Sequence, residues 1–135
     1  MKKFVVVEKH FEYRGHDCIC LFNYMGYRCG YVSVDEVKDY KEFDIACHCG
    51  LTFGAEQLNK DYNPKKDYYI GFDCGHICDG HDYTLARAYG LIDDKMYDEF
   101  IQMDIQSSVF LMPVRDLEYV ENQCKKIVDQ LEDKR

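Results

Sequence analysis

The stretch Asp17-Cys18-Ile19-Cys20-Leu21-Phe22-Asn23-Tyr24-Met25-Gly26-Tyr27-Arg28-Cys29-Gly30-Tyr31-Val32-Ser33-Val34 decides the fold class. Residues 17–23 form a short apolar run bounded by turn residues, the pattern of a strand covered on both faces. Asn23-Tyr24-Met25-Gly26 offers a tight turn, and residues 27–34 resume as a strand. Two such runs joined by a short glycine-containing loop read as a β-hairpin. A period of two places Tyr27, Cys29, Tyr31 and Ser33 on one face of the second strand, and Arg28, Gly30, Val32 and Val34 on the other.

Outward from the hairpin, residues 4–7 make a β-branched strand, and residues 51–53 and 68–72 two more, with Asn63-Pro64-Lys65-Lys66 turning between them. Residues 35–46 lack periodicity and read as a loop or a short helix. The second half reads as helical. Asp82 caps a helix over 83–89 that ends at Gly90. Asp93 or Asp94 caps a second helix that buries Met96, Tyr97, Phe100 and Ile101. Residues 109–112 read as a strand ended by Pro113. The helix over 116–131 carries the stripe Leu117, Val120, Cys124, Ile127, Val128 and Leu131. Strands first and helices later predict an α+β fold: an antiparallel or mixed sheet with helices packed on one side, in a single domain over 1–135 with a zinc site.

The apolar run at the N-terminus stops at Glu8-Lys9-His10, too soon for a secretory signal. No run reaches the roughly 18 residues of a membrane span. The expected location is the host-cell cytoplasm, without membrane contact. In that reducing setting eight cysteines read as buried thiols or metal ligands rather than disulfides. There is no Cys-x-x-Cys redox motif. The net charge of −8 disfavours direct nucleic-acid binding, which needs clustered Lys and Arg, and suits a partner with a basic surface.

The chemistry-bearing residues gather in Ala46-Cys47-His48-Cys49-Gly50 and in Asp73-Cys74-Gly75-His76-Ile77-Cys78-Asp79-Gly80-His81. Zinc takes four ligands, commonly thiolates and imidazoles. Cys74 and His76 flank a glycine and can aim at one point, His48 adds a third ligand, and Cys29 is the favoured fourth. Cys47, Cys49, Cys78, Asp79 and His81 are its rivals. Cys18 and Cys20 alternate with apolar neighbours and belong to the core. His10 and His16, near strand ends, read as surface residues. Tyr24, Tyr27, Tyr40, Tyr62, Tyr68 and Tyr69 are candidate exposed anchors for a partner. The metalloprotease His-Glu-x-x-His, the Walker glycine loop and the Gly-x-Ser-x-Gly elbow are all missing. The expected metal is therefore structural and the protein not an enzyme. The alternative is a small zinc-dependent hydrolase, with Asp73 or Asp79 as base. A third reading is a structural protein without metal.

His48-Cys49-Gly50-Leu51-Thr52-Phe53, then Ile70-Gly71-Phe72-Asp73-Cys74-Gly75-His76 and Asp79-Gly80, resemble a group of small phage and prophage proteins of Gram-positive bacteria. Tyr27-Arg28-Cys29-Gly30-Tyr31-Val32 and Leu117-Glu118-Tyr119-Val120 follow the same pattern. Some of that group resemble anti-CRISPR proteins, which disable an effector nuclease by binding it. The resemblance implies an inhibitor of a host protein, most specifically of a Cas effector nuclease. The chain departs from the pattern at Cys49, where the group carries Gly, and in the extra thiols Cys47 and Cys78.

Overall fold

Strands β1 (Val5–Tyr13), β2 (His16–Asn23), β3 (Arg28–Val34), β4 (Phe53–Glu56) and β5 (Tyr68–Asp73) make one antiparallel sheet in the order β1-β2-β3-β5-β4. The computed structural model describes residues 3–36, 38, 40 and 44–133. The hairpin is formed by β2 and β3, with Cys20 opposite Gly30. Gly26 closes its turn at φ +83°, a left-handed conformation that costs glycine little, and its N–H donates to the Asn23 carbonyl.

The three α-helices among the described residues, α1 (Tyr83–Ala88), α2 (Asp94–Ser107) and α3 (Leu117–Asp133), lie on one face of the sheet. Asp82 and Asp93 cap α1 and α2, accepting from the Leu85 and Met96 N–H groups. On α3, Val120, Cys124, Ile127 and Val128 are fully buried against Cys18, Cys20, Val32, Ile70, Phe72 and Cys74. Gly30 permits this close approach, because a Cβ there would stand 2.6 Å from the Phe72 ring and 2.8 Å from Cys124 Sγ. Ala86, Leu91 and Ile92 continue the layer over Phe22. The opposite face carries Ile19, Leu21, Cys29, Tyr31, Tyr69 and Phe53, with Leu58 and Tyr62 packed against it. This is the expected α+β arrangement, with an antiparallel rather than a mixed sheet.

Four expectations need correction. β1 runs on to Tyr13 through Glu8, Lys9 and His10, because each polar side chain has a distant partner. Glu8 accepts from Arg28 at 2.6 and 3.1 Å, Lys9 donates to Glu121 at 2.8 Å, and His10 bonds Asp17 at 2.7 Å. His16 is buried, not a surface residue, held between the Ser33 carbonyl at 2.6 Å and Glu132 at 2.9 Å. Val109–Leu111 is a 3-10 turn instead of a strand. Tyr69 is fully buried with its hydroxyl on Asp17, and Tyr40 is also buried, so neither is an exposed anchor. Of the 35–46 segment, residues 37, 39 and 41–43 lie outside the described residues.

Candidate metal centre

Two turns meet beside the N-terminal part of α3. The first, at 47–50, reverses tightly: the Gly50 N–H donates to the Cys47 carbonyl, with Cys49 at φ +54° and Gly50 at φ +82°. Gln123 of α3 pins it by accepting from the His48 N–H at 2.9 Å. The second, at 74–81, leaves the end of β5. The Cys74 N–H bonds the Arg28 carbonyl, and the Gly80 N–H bonds the Pro113 carbonyl. Gly75 lies under the Tyr27 ring, where a Cβ would stand at 2.6 Å.

Asp79 joins the two turns. Its carboxylate is fully buried and accepts from His48 Nε2 at 2.9 Å, the His76 N–H at 3.1 Å and Arg115 Nε at 3.0 Å. Burial alone would raise its pKa. The His48 bond, the His76 amide and the Arg115 guanidinium outweigh burial and hold it below the usual value. An ionised carboxylate only accepts, so His48 Nε2 carries the hydrogen. His48 Nδ1 is in turn paired with the Tyr119 hydroxyl at 2.7 Å.

Around this hub His48, Cys49 and Cys78 bring one donor atom each within 4.8 Å of one another and could together hold a metal ion. The two thiol sulfurs stand 3.8 Å apart, and both cysteines are exposed. Partial desolvation pushes the Cys49 thiol up first, followed by the hydrogen bond to Cys78 and the charges of Cys78 and Asp79, with Arg115 opposing. A bound cation would reverse this by displacing the thiol protons. Imidazole and thiolate donors suit a soft or borderline divalent metal.

The expected quartet Cys29, His48, Cys74 and His76 does not converge: among the described residues no three of its donor atoms meet within 4.8 Å. Cys29 shares its face with Tyr31, opposite to the face that carries Phe72 and Cys74. Burial pushes its thiol up to about 12. Cys74 is a core thiol, 1% exposed, its pKa pushed up by burial and by the Asp79 charge. His76 lies close, its ring centroid 5.9 Å from that of His48. Its Nε2 is buried without a hydrogen-bond partner, although Asp73 Oδ1 stands 3.4 Å away. Among the other rivals, Cys47 is packed against the core, and His81 is occupied by Asp104 at 2.9 Å and the Tyr83 hydroxyl at 3.0 Å. Alternation along β3 set Cys29 on the Tyr31 face, but only the pairing of β3 with β5 shows that this face is turned away from Cys74; no strand pattern bears on Cys49 and Cys78, which lie on turns.

Compared with known proteins, the chain matches no family model, no curated protein and no solved structure. Among the described residues no helix is long and apolar enough to cross a membrane.

Proposed function

We propose that the chain is a zinc-stabilised binding protein of the phage accessory type, which acts by docking on a host protein and not by catalysis. The observation that carries this reading is an apolar ridge turned to solvent: Phe110 is 57%, Leu111 70% and Met112 40% exposed. The neighbouring loop, tied on by the Gly80–Pro113 bond, presents Ile77 at 90% exposure. Large apolar side chains held in the open together mark interaction surfaces. Asp98 and Glu99 are exposed on α2, the helix that leads into the ridge, and add acidic surface that suits a basic partner. The most specific partner is the one the sequence resemblance implies, a CRISPR effector nuclease.

Zinc is the metal we assign to the cluster. Two thiolates on one tetrahedral zinc, at about 2.3 Å each, sit roughly 3.8 Å apart. Cys49 and Cys78 already hold that separation. Asp79 orients His48 through Nε2, as outer-shell carboxylates do for metal-bound imidazoles, so Nδ1 is the nitrogen that would bind once the Tyr119 hydroxyl, 2.7 Å away, gives way to the ion. His76 is the candidate fourth ligand: its Nε2 is buried without a hydrogen-bond partner and its ring lies 5.9 Å from that of His48, although it stands outside the converging trio and would have to swing toward it. The ion's role is to lock two turns beside the docking ridge. The test is titration against a purified effector nuclease. Inhibition by the native chain, lost in a folded Leu111→Asp variant, supports the reading. Chelator-sensitive hydrolysis of a small ester with no complex formed would overturn it in favour of the hydrolase.

A further inference from the structure

We propose that Cys49 and Cys78 form a reversible dithiol–disulfide couple, a modification site whose co-reactant is a low-molecular-weight disulfide of the glutathione class. Among the eight cysteines only these two are exposed, and their sulfurs are 3.8 Å apart across 29 residues of chain. A disulfide needs about 2.05 Å. Each thiol sits on a turn outside every strand and helix, so side-chain rotation can close that gap with the sheet intact. Cys20 and Cys124, also neighbours, are fully buried, where no dissolved oxidant reaches.

The chemistry balances. One protein thiol gives up its proton and attacks a sulfur of glutathione disulfide. That S–S bond breaks, and one glutathione leaves as thiolate and takes up a proton. The second protein thiol, losing its own proton, attacks the mixed disulfide and expels the second glutathione. Two protein thiols are oxidised, and one glutathione disulfide is reduced to two thiols. In one respect the inference rests on the zinc reading: the same two sulfurs are its ligands, so closing the disulfide ejects the ion and unlocks the turns.

The experiment treats the native full-length chain with excess glutathione disulfide. It follows free thiols, intact mass, linked peptides and released zinc. The expected result is the loss of two titratable thiols and two hydrogens, a single link between residues 49 and 78, and recovery of both thiols in dithiothreitol. Cys49→Ser and Cys78→Ser should show no link and instead retain one glutathione each. Free thiols at both positions, a stable mixed disulfide in the native chain, or a link elsewhere overturns the couple. Zinc released in step with the link supports the shared sulfurs. A link in a chain that never holds zinc removes the metal reading and leaves the couple standing. Zinc bound with no link, even after chelator stripping, does the reverse.

Discussion

His48 donates its Nε2 hydrogen to Asp79 Oδ2 at 2.9 Å, and this bond ties the turn at 47–50 to the loop at 74–81. Arg115, 3.0 Å away, brings the segment before α3 to the same carboxylate. Three stretches remote in sequence thus share one buried anion, and the Cys49–Cys78 pair stands at its edge.

Removing that charge leaves Arg115 and His48 without their acceptor. Asp79→Asn keeps the shape and replaces one oxygen by a donor that faces other donors. The expected loss is about 3–5 kcal/mol, as for breaking a buried ion pair by one partner. Denaturant unfolding at neutral pH measures it. A loss within the scatter of an ordinary surface change would refute the hub.

Acid should expose the same dependence. The Asp79 carboxyl is held below its ordinary value in the folded chain, so its contribution is present above the unfolded pKa of about 3.9. The contribution drains away as pH falls through the lower, folded value. Arg14 lowers Asp129 and Lys9 lowers Glu121 in the same direction, but these pairs are partly exposed and salt screens them. Unfolding followed from pH 5 to pH 2 in high salt should still show a fall. Asp79→Asn should flatten it, and an equal slope in both proteins would count against the assignment.

The metal set is separable by single substitutions. Purified without added metal, the native chain should carry about one zinc. Cys49→Ser and Cys78→Ser should abolish it, and His76→Ala should weaken binding by more than the roughly 10–100-fold cost of losing an outer-shell partner. Cys29→Ser should keep its zinc, because that thiol lies on the opposite face of the sheet. Cys74→Ser should keep zinc yet lose about 1–3 kcal/mol as a polar change in the core. Elemental analysis of the five variants decides. Zinc that survives loss of Cys49 but not of Cys29 would restore the original quartet.

What the sequence made legible was local. The hairpin turn at Gly26, the caps Asp82 and Asp93 and the α3 stripe depend on neighbours within a few residues. The length of β1 was hidden, since Glu8, Lys9 and His10 look like strand breakers until Arg28, Glu121 and Asp17 come beside them. The apolar run at 109–112 mimicked a strand but finds no strand to pair with among the described residues, and it stays open as a 3-10 turn. For the candidate site, composition pointed to the two segments that supply His48, Cys49 and Cys78, the group that could hold a metal ion. Choosing among the thiols needed the sheet's register, in which Cys29 pairs beside Asp73 and points away from Phe72 and Cys74. Asp79 was legible as a neighbour of the candidate ligands, not as the buried charge that holds His48, the His76 amide and Arg115 together.

The docking ridge gives the last expectation. Leu111 is 70% exposed and Phe110 57%, so replacing either by Asp removes little internal packing and should leave the melting curve almost unchanged. If the ridge is the centre of an interface, each change should cost about 2 kcal/mol or more in binding, the scale of a hot-spot residue. Reversing Asp98 and Glu99 should act differently, slowing association and weakening its salt dependence with little change in the dissociation rate. Asp39 and Glu42, acidic residues of the 35–46 segment that lie outside the described residues, serve as a second charge-reversal arm. Surface-plasmon kinetics against an effector nuclease at two salt concentrations separates these effects. Unchanged dissociation in Leu111→Asp and Phe110→Asp would rule out the ridge, and association indifferent to salt would rule out acidic steering by Asp98 and Glu99.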